Sequence, residues 1–238
     1  PARWSSSRFP GKPLALIIGQ PMILWVAKLA EDALGKQHVY IATDDSRIGN
    51  VVRDAGYQVI YTSSDCATGT DRVAEAASKL PPTPPPHPPP PPPMCFSADI
   101  QEAVKVKRKY PKHIVNGFTY IHDDESPSNR SIPKFVTDAE GNLLYASRAL
   151  IPSSKSGYSA GRYKKQVCIY AFDMRELLLF AQCESKSPLE ESEDIEILRF
   201  LEMGMPVKTY ECRKGSIAVD HPGDVDKVEN SIRLGELL

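Results

Sequence analysis

The chain has 238 residues, enough for one large α/β domain or two small ones whose core needs no disulfide or metal. Its 29 basic and 30 acidic side chains nearly cancel, which removes any general electrostatic reason to bind nucleic acid or an anionic membrane. The five cysteines form no CxxC pair, so we expect neither structural zinc nor a disulfide framework. A reducing, cytoplasmic location is expected instead. Because no run approaches the roughly 18 apolar residues of a membrane-spanning helix, we expect a soluble protein.

The first 80 residues alternate apolar runs with helical patterns. A polar loop precedes a helix that is predicted from Pro21 to residue 34. Strands are predicted at 38–43 and 57–61, and helices at 47–55 and 71–80. Strands that alternate with helices at this spacing predict a parallel sheet with crossover connections.

Residues 81–93 interrupt this alternation with the tract PPTPPPHPPPPPP, which holds half of the chain's 22 prolines. Proline has no N–H for a sheet ladder, so an ordinary central strand is excluded here. The composition favours a polyproline II segment or stiff linker, and a ligand for a small adaptor domain is the alternative.

The second half mixes hairpin and crossover patterns. A helix at 98–110 precedes strands at 113–120, 133–137 and 142–146, and the turn at 140–142 makes a hairpin of the last two. The remaining predictions are a strand at 166–172, helices at 175–181 and 192–203, strands at 207–211 and 216–219, and a helix at 224–237. This mixture predicts a mixed sheet.

The opening segment PARWSSSRFPGKPL carries three basic residues in a loop immediately before a helix. Arg3, Arg8 and Lys12, together with backbone N–H groups near Gly11, could surround a triphosphate. A polar surface turn is the alternative, and the segment does not follow the P-loop pattern.

Further motifs change the balance between these alternatives. The series PAR, RFPGKPL, ATDD (42–45) and TGTDR (68–72) resembles the N-terminal signature of the 3-deoxy-manno-octulosonate (Kdo) cytidylyltransferases, in the same order and at similar spacing. The resemblance continues through YASRALIP (145–152), YKKQVCIYAF (163–172), SPLEESEDIEILRFLEMG (187–204) and AVDHPGDV (218–225).

The resemblance implies an α/β fold: a Rossmann-like nucleotidyltransferase whose mixed, mainly parallel central sheet is flanked by helices. A smaller lobe containing a β-hairpin would serve dimerisation and sugar binding, and residues 1–238 would form a single domain. It also implies a homodimer. The implied reaction is the transfer of CMP from CTP to the anomeric hydroxyl of a 3-deoxy-octulosonate-type sugar acid, with release of pyrophosphate.

The resemblance also implies roles for individual residues. Arg3, Arg8 and Lys12 would hold the triphosphate, with Lys12 catalytic, and Asp220 would be both catalytic and the ligand of Mg²⁺. The residues that would shape the cytidine pocket are Thr43, Asp44, Thr68, Gly69, Thr70 and Arg72, and those that would face the sugar acid are Arg148, Gln166 and Glu196. A guanidinium suits the sugar's carboxylate because its fork matches two oxygens.

Simpler structural roles remain open for the acidic residues. Asp44 and Asp71 could form a turn or cap a helix, and Asp220 could cap the turn before the last helix.

The chain departs from the family pattern at the proline tract. The family has a strand and a QGDEP-like turn, with a second magnesium-binding aspartate, where residues 81–97 carry the tract, and Pro91 falls near the missing acid. Either the chain is a catalytically impaired relative that binds nucleotide, or the tract as written does not represent the real segment.

Two further departures concern the sugar site. Gln166 stands where a histidine is common, and Ile197 where a glutamine is common, so a modified octulosonate is an alternative substrate.

Overall fold

The computed structural model describes residues 1–5, 9–81, 97–123, 125–153, 155, 163–183, 185–213, 219 and 221–234. Its internal contacts divide the chain into two compact units. The first unit comprises residues 1–101 and 215–238, and the second comprises residues 102–214. The expected single domain over 1–238 stays a prediction.

The first unit follows the predicted alternation of strands and helices. Its elements are a 3-10 turn Lys12–Leu14, β1 Leu16–Ile17, β2 Gln20–Pro21, α1 Met22–Leu34, a 3-10 turn Lys36–His38, β3 Tyr40–Thr43, α2 Ser46–Asp54, β4 Gln58–Tyr61 and α3 Gly69–Ser78. Strands β3 and β4 are parallel, and Ala2 forms a parallel bridge with Thr43.

Helical periodicity explains how the core of the first unit forms. Ile23 and Ala27 of α1 and Ile48 and Val52 of α2 recur at a spacing of four and are buried with Ile41 of β3. Residues four apart lie on one helix face, so each helix presents an apolar stripe to the strand between them.

The second unit is built on a five-stranded sheet. Helix α4, Ser97–Lys109, starts in the first unit, and its residues 102–109 belong to the second. The other elements are β5 Ile114–Tyr120, β6 Lys134–Thr137, β7 Leu143–Ser147, β8 Lys164–Ala171, α5 Met174–Ala181, α6 Pro188–Glu193, α7 Ile197–Glu202 and β9 Val207–Glu211. The last helix, α8 Asp224–Arg233, belongs to the first unit.

The sheet has the strand order β7-β6-β8-β5-β9 and is mixed, as predicted. Strands β5 and β9 are parallel, whereas the β5–β8, β6–β8 and β6–β7 pairs are antiparallel. The antiparallel share in this sheet is therefore larger than a mainly parallel arrangement predicts, because a hairpin and its returning strand supply three of the five strands.

Helices pack on both faces of this sheet. Ile114 packs with Phe180 of α5 and Phe200 of α7, whereas its neighbour Val115 packs with Ala103 of α4. Successive residues of a strand point to opposite faces, so β5 is buried on both sides.

One predicted helix is wrong. The pattern at 192–203 predicts a single helix, but the chain forms α6 and α7 with a break at Asp194, whose φ is 51°. Helix α6 begins earlier, at Pro188, which suits a first helical turn, and the N–H of the N-cap residue Ser187 donates to the Glu190 carboxylate at 3.2 Å, as in a capping box. The sequence does carry this start signal. The predicted strand at 216–219 lies outside the described residues except for Val219.

Candidate functional site

The opening loop, for which the resemblance implies a triphosphate-binding role, depends on a glycine for its conformation. Gly11 has a φ of 72°, and a Cβ there would lie 3.0 Å from the ring of Trp4. Its N–H donates to the Trp4 carbonyl at 3.0 Å, and the Arg47 guanidinium lies 3.4 Å from the centre of the Trp4 ring. Only a residue without a side chain fits this left-handed, closely packed position. The loop then enters the 3-10 turn that carries Lys12.

Lys12 meets a segment from the other end of the chain. Its Nζ donates to the carbonyl of Val219 at 2.5 Å, across a separation of 207 residues. The next residue is Asp220, so the ammonium group of Lys12 lies at the segment that carries the predicted magnesium ligand. Asp220 and Arg8 themselves lie outside the described residues, and Arg3 is exposed.

A second contact joins the same two segments. The N–H of Ile18, in the turn between β1 and β2, donates to Oε1 of Glu229 in α8 at 2.7 Å. Ile18 has a φ of 48°, which is strained for a β-branched residue. The helix that follows Asp220 is therefore tied to the hairpin that follows Lys12.

The predicted cytidine-pocket residues come together at the ends of β3 and β4. Arg72 is almost completely buried, and its Nη2 lies 3.2 Å from Oδ2 of Asp44, while its Nη1 donates to Oγ1 of Thr62 at 2.5 Å. Thr43 is fully buried, and its Oγ1 accepts from the N–H of Asp45 at 3.2 Å. Thr62 was not predicted from the sequence.

Asp44 and its neighbour Asp45 play different parts. Asp45 caps α2 by accepting from the N–H of Arg47 at 2.9 Å, whereas Asp44 forms the ion pair with Arg72. Oδ1 of Asp44 is buried without a hydrogen-bond partner in the described part of the chain. The helix-capping role that was left open for Asp44 is thus performed by Asp45.

The TGTDR motif forms the start of α3. Thr68 is the N-cap: its Oγ1 accepts from the N–H of Asp71 at 3.2 Å, and the Asp71 carboxylate accepts from the Thr68 N–H at 2.9 Å. This reciprocal capping box starts the helix at Gly69, earlier than predicted, with Thr70 buried in the first turn. Asp71 therefore has the helix-capping role that was left open.

In the second unit, Gln166 contacts Tyr170, and the charge of Glu196 acts on the same phenol. Nε2 of Gln166 donates to the hydroxyl of Tyr170 at 2.9 Å and to Oδ1 of the buried Asn116 at 3.0 Å. Burial, reinforced by the Cys168 thiol and the Glu196 carboxylate, raises the pKa of Tyr170 well above its usual value. The phenol therefore stays protonated and can donate a hydrogen bond.

Tyr170 and Asn116 were missed by the sequence analysis. Strand alternation puts residue 170 on the same face as residue 166, which is a signal that could have identified it. Asn116 gave no such signal, because it lies on β5, the strand that pairs with β8. Its Nδ2 donates to the carbonyls of Val167 and Ile169, at an irregularity in the β5–β8 register.

Arg148, which the resemblance directs to the sugar's carboxylate, binds main-chain oxygens here. Nε donates to the Glu193 carbonyl at 2.6 Å, Nη1 to the Arg130 carbonyl at 3.0 Å and Nη2 to the Asp194 carbonyl at 2.9 Å. Its contact with the sugar stays a prediction.

Glu193 was also missed. Partial burial opposes its ionisation, but hydrogen bonds from the Ser147 hydroxyl and the Arg148 N–H outweigh that effect and lower the pKa of Glu193. Lys134, fully buried nearby, donates to the carbonyls of Asn129 and Arg148, and burial lowers its pKa.

The described residues offer neither a clustered metal site nor a helix that could span a membrane. No group of three or more His, Cys, Asp or Glu side chains could hold a metal within the described part of the chain. In the same part, no helix is both long and apolar enough to cross a membrane.

Comparison with known proteins identifies the family. The family model described as cytidylyltransferase matches residues 1–209. The 3-deoxy-manno-octulosonate cytidylyltransferase of Myxococcus xanthus is 36% identical over 98% of this chain and 94% of that protein. The enzyme of the same name from Oleidesulfovibrio alaskensis is 37% identical over 99% and 96%. The chain belongs to the 3-deoxy-manno-octulosonate cytidylyltransferase family.

One solved structure agrees with this membership, and a second shares the fold. The structure described as CMP:2-keto-3-deoxy-manno-octonic acid synthetase complexed with CTP matches with a TM-score of 0.84 and 31% identity, over 99% of this chain and 97% of that one. A cytidylyltransferase from Leptospira borgpetersenii shares the fold at a TM-score of 0.56 and 11% identity, over 98% and 84%. The predicted α/β class, with a mixed sheet flanked by helices, is confirmed.

Proposed function

We propose that this protein transfers CMP from CTP to the anomeric hydroxyl of Kdo or a closely related octulosonate, releasing pyrophosphate. The observation that carries the proposal is the likeness, over 99% of this chain, to a synthetase of that sugar acid complexed with CTP. The named relatives, at 36% and 37% identity over nearly the full length of both chains, support the same sugar class.

The nucleotide side of the reaction would use the first unit. Lys12, with Arg3 and Arg8, would neutralise the triphosphate as the sugar hydroxyl attacks the α-phosphorus, since phosphoryl chemistry relies mainly on positioning and charge neutralisation. The buried pair of Arg72 and Asp44 supplies a fixed wall for the base, because both side chains are held by contacts already made in the free protein.

The sugar side would use the polar face of β8. Gln166, the protonated Tyr170 and Glu196 offer a carboxamide, a donor hydroxyl and a carboxylate within one cluster. Such a set can pair with several hydroxyls of a polyhydroxylated acid and so orient its anomeric hydroxyl. We include Tyr170 and Asn116 in the proposed sugar site on this ground.

Magnesium belongs to the proposal through Asp220. A carboxylate there would bind Mg²⁺, whose charge would offset that of the triphosphate. The hydrogen bond from Lys12 to Val219 supports this role, because it fixes the main chain immediately before Asp220. We further propose that the protein is a homodimer, which the family resemblance implies. We also propose that it is cytoplasmic, because its five cysteines form no CxxC pair and fit a reducing compartment.

Pyrophosphate release tests the proposal. The chain is assayed with CTP, Mg²⁺ and Kdo, with UTP in place of CTP as a control, beside Asp220→Ala and a matched Asp226→Ala. Asp226 is an exposed acid in the first turn of α8, so its removal should leave the rate unchanged. Release that requires both Kdo and Asp220 is the expected result.

A different outcome would favour the impaired relative, for which the proline tract at 81–93 is the motivating feature. In that case no pyrophosphate appears, yet CTP still raises the melting temperature through binding to the folded state. Loss of both the reaction and the CTP-dependent shift would overturn the proposal altogether.

A further inference from the structure

The guanidinium of Arg148 is occupied by the chain itself. Each of its three nitrogens donates to a main-chain carbonyl, namely Nε to Glu193 at 2.6 Å, Nη1 to Arg130 at 3.0 Å and Nη2 to Asp194 at 2.9 Å. The main-chain N–H of Arg148 also donates to Oε2 of Glu193 at 2.8 Å. Arg148, the residue that follows β7, thus holds two consecutive residues: Glu193, the last residue of α6, and Asp194, which follows it.

The gripped turn has a backbone that most residues avoid. Asp194 has a φ of 51° and a ψ of 50°, the left-handed conformation that a non-glycine residue adopts only when its surroundings hold it. The Asp194 carboxylate also lies 3.6 Å from Arg148 and 2.9 Å from Lys186. Without the guanidinium, two carbonyls of this strained turn would lose their donor.

The turn leads directly to the sugar-site carboxylate. Glu196 lies two residues beyond Asp194, at the N-cap position of α7, and its charge acts on the hydroxyl of Tyr170. The chain that leaves the turn at Asp194 therefore reaches Glu196 after a single residue, the buried Ile195.

The backbone that carries the Arg148 side chain is itself held by hydrogen bonds. The carbonyl of Arg148 accepts from Nζ of the fully buried Lys134 at 2.6 Å, and the hydroxyl of Ser147 donates to Oε1 of Glu193 at 2.6 Å. Both residues belong to the paired strands β6 and β7. The side chain of Arg148 can therefore hold the turn, because its own backbone follows β7 directly and is fixed by the hydrogen bond from Lys134.

We propose that Arg148 is a positioning residue, which holds the Glu193–Asp194 turn so that Glu196 is presented to the sugar acid beside Tyr170. The inference rests on the proposed function and assigns this arginine a role other than gripping the sugar's carboxylate. It predicts that Arg148 acts on the sugar only through Glu196.

A double-mutant cycle between Arg148 and Glu196 tests this dependence. Arg148→Met removes the guanidinium and keeps the aliphatic stem, and it should lower kcat/KM for Kdo by about 100-fold, the loss that a displacement of about 1 Å can cause. The same change in a Glu196→Ala background should cost less than about threefold, because contacts that act as a unit are not additive. Losses that multiply would overturn the proposal, since they would mean an independent contact with the sugar.

A rescue variant supplies a second readout. Glycine adopts a positive φ without strain, so Asp194→Gly in the Arg148→Met background should restore kcat/KM for Kdo by about tenfold. An arginine that grips the sugar directly would not be replaced by a change in the turn, so no recovery would overturn the proposal. Arg175→Met, at an exposed arginine of α5, is the matched control and should match the unaltered protein.

Hydrogen exchange separates this inference from the proposed function. The amides of Asp194 and Leu198 donate to the carbonyls of Glu190 and Ile195, at 2.8 and 3.1 Å, on the two sides of the turn. In Arg148→Met without substrate, both should exchange at least about tenfold faster. Unchanged exchange would overturn the positioning role of Arg148 even if the protein is an active transferase. Absent turnover in the unaltered protein would overturn the proposed function instead.

Discussion

Breaking the ion pair between Asp44 and Arg72 should separate fold stability from nucleotide binding. The Arg72 side chain is 3% exposed and the Asp44 side chain 17%, so removing one partner leaves the other poorly solvated. We expect Asp44→Leu to lower the free energy of unfolding of the first unit, because among the described residues the Arg72 guanidinium then keeps only its hydrogen bond to Thr62.

The structure sets the size of this effect. Removing one partner of a fully buried pair costs about 3–5 kcal/mol. Two features favour the lower limit: Asp44 retains some exposure, and its Oδ1 is already buried without a partner in the described residues, which offsets part of the attraction. A loss of about 3 kcal/mol corresponds to a fall in melting temperature of roughly 6–12 °C for a chain of this size.

The double variant Asp44→Leu/Arg72→Met is the decisive measurement. Replacing both charges with apolar groups is often neutral or stabilising, so urea denaturation should recover most of the lost stability. CTP should nevertheless raise its melting temperature far less than that of the unaltered protein, because a wall of the proposed base pocket is gone. A double variant as unstable as Asp44→Leu, or one with the full CTP-dependent shift, would refute the reasoning.

Substitutions at three other sites should change the stability of the protein measurably. Thr68→Ala should cost about 1 kcal/mol in urea denaturation by uncapping α3, while Thr68→Ser should retain the cap. Arg199→Met should cost about 3–5 kcal/mol in the same assay, because Glu190 loses a guanidinium 2.5 Å away and both side chains are 1% exposed. Burial, reinforced by Lys208, lowers the pKa of His113, so the unfolded chain binds this proton more readily than the folded one. Stability present above about pH 6.5 should be lost as the pH falls through the folded pKa, and His113→Phe should show a smaller difference between urea midpoints at pH 7 and pH 5.

Each of these three has a result that contradicts it. Equal stability of the alanine and serine variants at position 68 would show that the Thr68 cap does not stabilise α3. If Glu190→Leu/Arg199→Met is no more stable than Arg199→Met, the buried pair is not the source of the loss. An unchanged pH dependence in His113→Phe would assign the acid sensitivity to other groups.

The sequence by itself determined most of the helices and strands and the family. These features are encoded locally: the capping residues Thr68 and Asp71 stand three apart, and apolar residues recur at helical or strand spacing. The same local logic located the motifs for which a cytidine pocket is proposed, because ATDD and TGTDR follow the strand and loop that carry them. The early start of α6 was also encoded, in the Ser187, Pro188 and Glu190 signal.

Only the tertiary structure decided which of these residues meet. Lys12 reaches Val219 across 207 positions, and Arg148 reaches Glu193 across 45, and in both cases the acceptor is a main-chain carbonyl. Every residue has such a carbonyl, so no sequence pattern marks the one that will be used. The break at Asp194 has the same origin, because the left-handed aspartate is held by a donor that is distant in sequence, the Arg148 guanidinium.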